Sequence, residues 1–202
     1  MNPNPEQLID VRDIPKPERH PLIFGRYQQL QVGESLYLHA DHEPQNLRQE
    51  FERDHPGTYR WEAEELTVGH WQVRITKEAA TPAPRIMTNS KDLGSATSDT
   101  DLNGAIWKLE PSERQLDANI IALSGGEEIG EHLGPDLDVL LHIISGSGTL
   151  ETETERLNLT PGDVVYLPAR ARRRFIAADE GLRYFSVHQR KRTLGLMPTL
   201  RG

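Results

Sequence analysis

Glycines and prolines at fixed intervals in the second half of the chain constrain the fold more than any other feature. The pattern is Gly126-x5-His132-x-Gly134-x4-Val139-x6-Gly146, followed by Gly162-x5-Pro168-x-Arg170-x2-Arg173. From Gly104 onward short apolar runs alternate with Gly, Pro and Asp. Candidate strands are Ile106–Leu109, Ala118–Leu123, Val139–Ile144, Gly148–Glu151, Arg156–Leu159, Val164–Leu167, Arg173–Ala177 and Arg183–His188. Strand spacing of roughly ten residues implies an all-β sandwich or barrel. Ser145-Gly146-Ser147-Gly148 is expected to be a tight hairpin, and Leu159-Thr160-Pro161-Gly162-Asp163-Val164 a second turn.

The first part of the chain has a different rhythm. Gln7–Val11 suits a strand. Glu18–Leu30 carries Ile23, Tyr27 and Leu30 at helical spacing. Leu36 and Leu38 alternate with polar neighbours over Ser35–His39. Pro44 marks a second helix carrying Leu47 and Phe51, with Asp41 or His42 as cap and His55-Pro56-Gly57 as its stop. Thr58–Leu66 and Gly69–Thr76 alternate as a hairpin. The order β-α-β-α-β-β implies a two-layer α/β sandwich. Residues 78–103, rich in Pro, Ala, Ser, Thr and Asp without apolar period, are expected to be a flexible linker. The chain is thus expected to be an α+β two-domain protein, divided into 1–77, the linker 78–103, and 104–202.

Composition narrows the chemistry. With no cysteine among the 202 residues, disulfides, thiolate catalysis and cysteine-held metals are excluded. A net charge of −8 argues against a nucleic-acid partner. No apolar run approaches the ~20 residues of a membrane span. The first ten residues lack a basic and apolar leader, so the cytoplasm is the expected compartment. Ser124, Ser145 and Ser147 stand in turns without a nucleophile-elbow pattern. The eight acids between Glu127 and Glu155 face no basic residue in that stretch, and eight basic residues lie between Arg170 and Arg192. These runs are expected to be solvated faces that attract each other or a second subunit, giving a possible homodimer through this domain.

The spacing of Gly126, Gly134, Gly146, Gly162 and Pro168 resembles the two motifs of the cupin superfamily over about ninety residues. The resemblance implies a double-stranded β-helix, the jelly-roll barrel. It also implies a metal held by two histidines and a glutamate from the first motif and a histidine from the second. Aligned so, the four ligand positions are His132, Gly134, Val139 and Arg173. One imidazole remains. No cofactor is therefore expected. Arg173, with His132 and Arg170, is expected to hold a small anionic molecule instead, with Leu140, Leu141 and Ile143 as apolar wall. His188, in the last strand, lines the barrel or lies outside it. The alternative is a metal enzyme of oxygenase or isomerase type. In it a bulge near Pro135-Asp136 turns Asp138 and His142 inward to join His132 around iron, manganese or zinc.

The segments IDVRDIPKPERHPLIF and VGESLYLHAD, with the element order above, resemble the TusA/SirA sulfur carriers over about seventy residues. That family holds a Cys-Pro-x-Pro motif at the start of its first helix. Here Lys16-Pro17-Glu18-Arg19 stands in its place, and a lysine cannot carry persulfide sulfur. Only the fold carries over. His20, Asp41 and His42 form a second, weaker metal candidate if the two helix starts lie side by side. His39, His55 and His70 are expected at the surface.

Overall fold

The computed structural model describes residues 8–93 and 103–191, which fall into two compact units meeting at Arg85 and Ile86. In the first unit β1 (Leu8–Asp10) leads through a short 3-10 turn to α1 (Lys16–Gln29). Then come β2 (Ser35–Ala40), α2 (Gln45–Asp54), β3 (Tyr59–Thr67) and β4 (His70–Lys77). This is the expected β-α-β-α-β-β order, with Gln7 outside the described residues. The sheet runs β1-β2-β4-β3, with β1 parallel to β2 and the other pairs antiparallel.

The apolar periods explain the packing. Ile23 and Tyr27 from α1 and Leu47 and Phe51 from α2 meet Leu36, Leu38, Val73 and Ile75 of the sheet, all essentially without solvent contact. Phe51 is the hub: its ring stands 4.7 Å from Phe24, 5.0 Å from Tyr27 and 5.8 Å from Trp61. The carbonyls at the end of α1 are tied by Lys77, whose Nζ donates to Gln28 O and Leu30 O. The Tyr27 hydroxyl donates to the Thr58 carbonyl at 2.9 Å inside the core. A Tyr27→Phe change should cost about 1 kcal/mol, the net worth of one buried hydrogen bond. A urea titration reads this, and an unchanged midpoint would mean the hydroxyl is not held there.

Several local expectations change. The residue at the N-cap of α2 is Pro44 and no side chain caps this helix. Asp41 and His42 bond to each other instead, at 2.6 Å. His55 is half-buried; it stacks on Phe24, meets Tyr27 edge-on and Phe51 at a tilt, so it belongs to the aromatic cluster rather than the surface.

The second unit contains β5 (Gly104–Lys108), β6 (Leu116–Leu123), β7 (Glu128–Leu133), β8 (Val139–Glu151), β9 (Arg156–Leu159), β10 (Val164–Leu167) and β11 (Arg172–Gln189). Two strands run through both layers of the sandwich. The first half of β8 pairs β10 and its second half pairs β9. The first half of β11 pairs β7 and its second half pairs β6, with β5 beyond. The front layer is thus β5-β6-β11-β8-β10, and the back layer β7-β11-β8-β9. Leu141, Ile143, Leu150, Leu167, Phe175, Leu182 and Tyr184 fill the space enclosed.

The hairpin expected at residues 145–148 is absent, because that segment lies inside the continuous β8. Its glycines serve a close approach. Gly146 has φ +71°, and a Cβ there would stand 2.1 Å from the Gly181 carbonyl oxygen. The register between β8 and β11 shifts at this bend, between Ala177 and Leu182. The second expected turn is present, closed by Asp163 Oδ2, which accepts from the Thr160 amide at 2.7 Å.

Candidate functional site

Strand alternation puts Arg173, Phe175 and Ala177 inward and Arg172 and Arg174 outward, as the sequence implies. Arg173 and His132 are paired across β11 and β7. His132 Nδ1 bonds to the Gly130 carbonyl at 2.9 Å, and since a carbonyl only accepts, Nδ1 carries the proton. Nε2 is then the lone-pair atom, and Arg173 Nε approaches it to 3.5 Å.

The guanidinium takes the room that a side chain at position 134 would need. A Cβ on Gly134 would meet Arg173 Cζ at 3.1 Å and the Ala171 carbonyl oxygen at 3.0 Å. Arg173 is 8% exposed and its Nη1 has no hydrogen-bond partner. Burial holds its pKa below the usual arginine value, with the nearby Tyr184 acting in the opposite direction. Burial also pushes the Tyr184 phenol up to about 12.

Beside Arg173 lies a recess of about 330 Å³ lined by Arg172, Arg174, Thr152 and four glutamates. Those carboxylates are engaged. Glu131 and Glu153 bond to Arg172, while Glu128 and Glu151 bond to Arg174. Part of the acidic run and part of the basic run are thus paired within one chain; Arg192 lies outside the described residues. Among the described residues no carboxylate reaches ion-pair distance of Arg173. Arg170, the third expected ligand residue, points elsewhere. It bonds to Asp136, which Lys191 also holds, and these two cations keep the Asp136 carboxyl below its ordinary range.

The shifted metal set does not come together. The residues after Pro135-Asp136 are not turned over: Val139, Leu141 and Ile143 face the core, while Leu140 and His142 are exposed on the other side. Leu140 therefore leaves the expected apolar wall. Asp138 accepts from the Ala169 amide at 2.9 Å, at the surface. In the first unit His20 bonds to Glu50, away from the Asp41–His42 pair. Among the described residues no three His, Cys, Asp or Glu side chains gather where an ion could bind. The metal that the barrel type implies thus has one imidazole to meet it, and a cation stands beside that imidazole. His188, half-buried on β11, bonds to the Gln189 carbonyl.

A larger pocket was not anticipated from the sequence. It lies on the outer face of the front layer and holds about 830 Å³. Residues 86–91, from the expected linker, form one wall. The described part of that linker is shared out. Residues 78–85 are bonded into the first unit through Thr58, Pro56 and Arg53. The next residues line a pocket of the second. Arg183 lines it too, 3% exposed, with Nε and Nη2 unpartnered among the described residues. A lone arginine inside the apolar run Leu182-Arg183-Tyr184-Phe185 was the available signal.

Comparison with known proteins places these units. Residues 8–77 match the family described as "Uncharacterized conserved protein (DUF2249)", and residues 119–188 match the cupin domain. No curated protein matches the chain. Among solved structures, a Cupin 2 conserved barrel domain protein from Salinispora arenicola is 23% identical, with a TM-score of 0.41 over 52% of this chain and 88% of that one. A cupin superfamily protein from Desulfitobacterium hafniense is 18% identical, with a TM-score of 0.38 over 42% and 75%. KdgF from a Halomonas species is 19% identical, with a TM-score of 0.38 over 43% and 79%. No helix among the described residues is long and apolar enough to cross a membrane. Strand order and family match agree: the second unit carries a cupin domain, and in the chain it follows a domain of the DUF2249 type.

Proposed function

We propose that the cupin unit binds a small anion without a metal, Arg173 supplying the positive charge and His132 Nε2 accepting from Arg173 Nε and so orienting the guanidinium. One observation carries this reading. A guanidinium that is 8% exposed has no carboxylate partner among the described residues and an Nη1 without a hydrogen-bond partner. Burying an unpaired charge costs several kcal/mol, so such a group is retained where something binds to it. The fork geometry of arginine suits a carboxylate, phosphate or sulfate. The recess beside Arg173, about 330 Å³ and rimmed by engaged glutamates, leaves room for a small anion. The reading makes the protein a binder or sensor rather than a catalyst. The first unit, with Lys16 where a sulfur carrier has its thiol, then serves as a structural or docking domain.

Metal analysis and calorimetry test this together. Protein purified without added metal should contain iron, manganese, nickel and zinc well below stoichiometry. It should also bind acetate, phosphate or sulfate with an affinity that Arg173→Met reduces about tenfold or more, the worth of one charge-assisted contact. Stoichiometric metal that disappears in His132→Ala would overturn the proposal in favour of the metal enzyme.

A further inference from the structure

We propose that the outer pocket of the cupin unit is a second, separate binding site, built for an organic carboxylate with a flat apolar body. Its size, about 830 Å³, is that of a site for a small organic molecule. Trp107, Ile120, Ile144 and Phe185 provide apolar wall. Among the described residues, the charged or titratable groups that line it are Arg183, Lys91 and His142, with no aspartate or glutamate. This is the opposite of the glutamate-rich recess beside Arg173.

Arg183 decides the ligand class. The strand register places it between Ala122 of β6 and Ser145 of β8, with no acid on either neighbour. Nε and Nη2 are the two donors on one edge of the guanidinium. Their N–H bonds run parallel, at the spacing of two carboxylate oxygens, and both lack partners. Desolvation alone, with no opposing carboxylate, lowers the pKa of this group. An apolar wall beside a buried, unpaired fork is matched by a molecule with the same two parts. An aromatic monocarboxylate has both. An inorganic anion lacks the body, and a neutral aromatic lacks the charge. The site is independent of Arg173, which faces the opposite side of its own strand in the other layer.

Calorimetry with 1-naphthoate and with its neutral isostere 1-naphthalenemethanol tests the proposal on the unaltered full chain. Naphthoate should bind one site per chain, at least tenfold more tightly than the alcohol, and quench tryptophan fluorescence. Arg183→Met should abolish that preference. Arg183→Lys should lose most of it, because an ammonium is a point charge and offers no parallel fork. Arg173→Met should leave naphthoate binding unchanged, which separates failure here from failure of the barrel reading. Equal affinity for acid and alcohol, or no naphthoate binding up to millimolar concentration, overturns the inference even if the Arg183 variants do not fold. So does a folded Arg183→Met that keeps the preference.

Discussion

Gly146→Ala is expected to cost the cupin unit more than about 3 kcal/mol, enough to unfold many domains of this size. Two effects add. Alanine at φ +71° is in the left-handed region, worth about 1 kcal/mol or more against any residue with a Cβ. The added methyl would also stand 2.1 Å from the Gly181 oxygen and 2.7 Å from its carbonyl carbon. Both are backbone atoms, so no side chain can move aside. β8 and β11 would have to separate at the bend where they pass from one layer to the other. Thermal unfolding followed by near-ultraviolet circular dichroism measures this. A melting temperature within a degree or two of the parent would mean that the two strands do not approach so closely.

That glycine also shows what the sequence could and could not convey. Its spacing from His132 and Pro168 located the cupin motifs correctly, but its purpose was misread. Ser-Gly-Ser-Gly between two apolar runs has the composition of a hairpin. Nothing local distinguishes a turn from a long strand that bends beneath another. β7 was missed for a related reason. Glu-Ile-Gly-Glu-His-Leu holds two apolar residues in six, so its period is weak, and it is a strand because the first half of β11 pairs with it. The first unit was legible throughout in element order, since Ile23, Tyr27, Leu47 and Phe51 keep helical spacing and the sheet residues alternate. Its polar details were not. His20 meets Glu50 across thirty positions of sequence, and no spacing rule reports such a pair.

At the site, the inward place of Arg173 followed from alternation, whereas Arg170 followed only from being near it in sequence. Arg170 has φ +63°, which aims its side chain at Asp136 instead. Arg183 was counted as one more charge in a basic run. It lines a pocket on the outer face of the front layer, and residues 86–91, which line that pocket with it, have no apolar period to reveal them.

The second large effect is a gain. Gly134→His combined with Arg173→His should create a nickel or zinc site with a dissociation constant near or below about 1 μM, or about 8 kcal/mol of binding. His132 Nε2 already faces the place that the Arg173 guanidinium occupies, 3.5 Å away. A Cβ at position 134 points into the same place, 3.1 Å from Arg173 Cζ. Removing the guanidinium takes away its own overlap and its charge; the Ala171 carbonyl oxygen, 3.0 Å from such a Cβ, has to give by a few tenths of an ångström, and three imidazoles then converge. Gly134→His alone should bind at least a hundredfold more weakly, since the arginine still fills and repels. Equilibrium dialysis with atomic emission gives the answer. Uptake no greater than the parent's would show that positions 132, 134 and 173 do not share a focus.

Ownership of the connecting stretch has a practical corollary. A scissile point chosen by composition would fall near Gly104 and yield a β-rich fragment with every described strand of the second unit but without the residues from Ile86 to Lys91 that line the pocket with Arg183. Cutting after Arg85 keeps that side of the pocket. Two otherwise alike fragments, eighteen residues apart in their starts, should therefore differ in whether they take up aromatic acids at all.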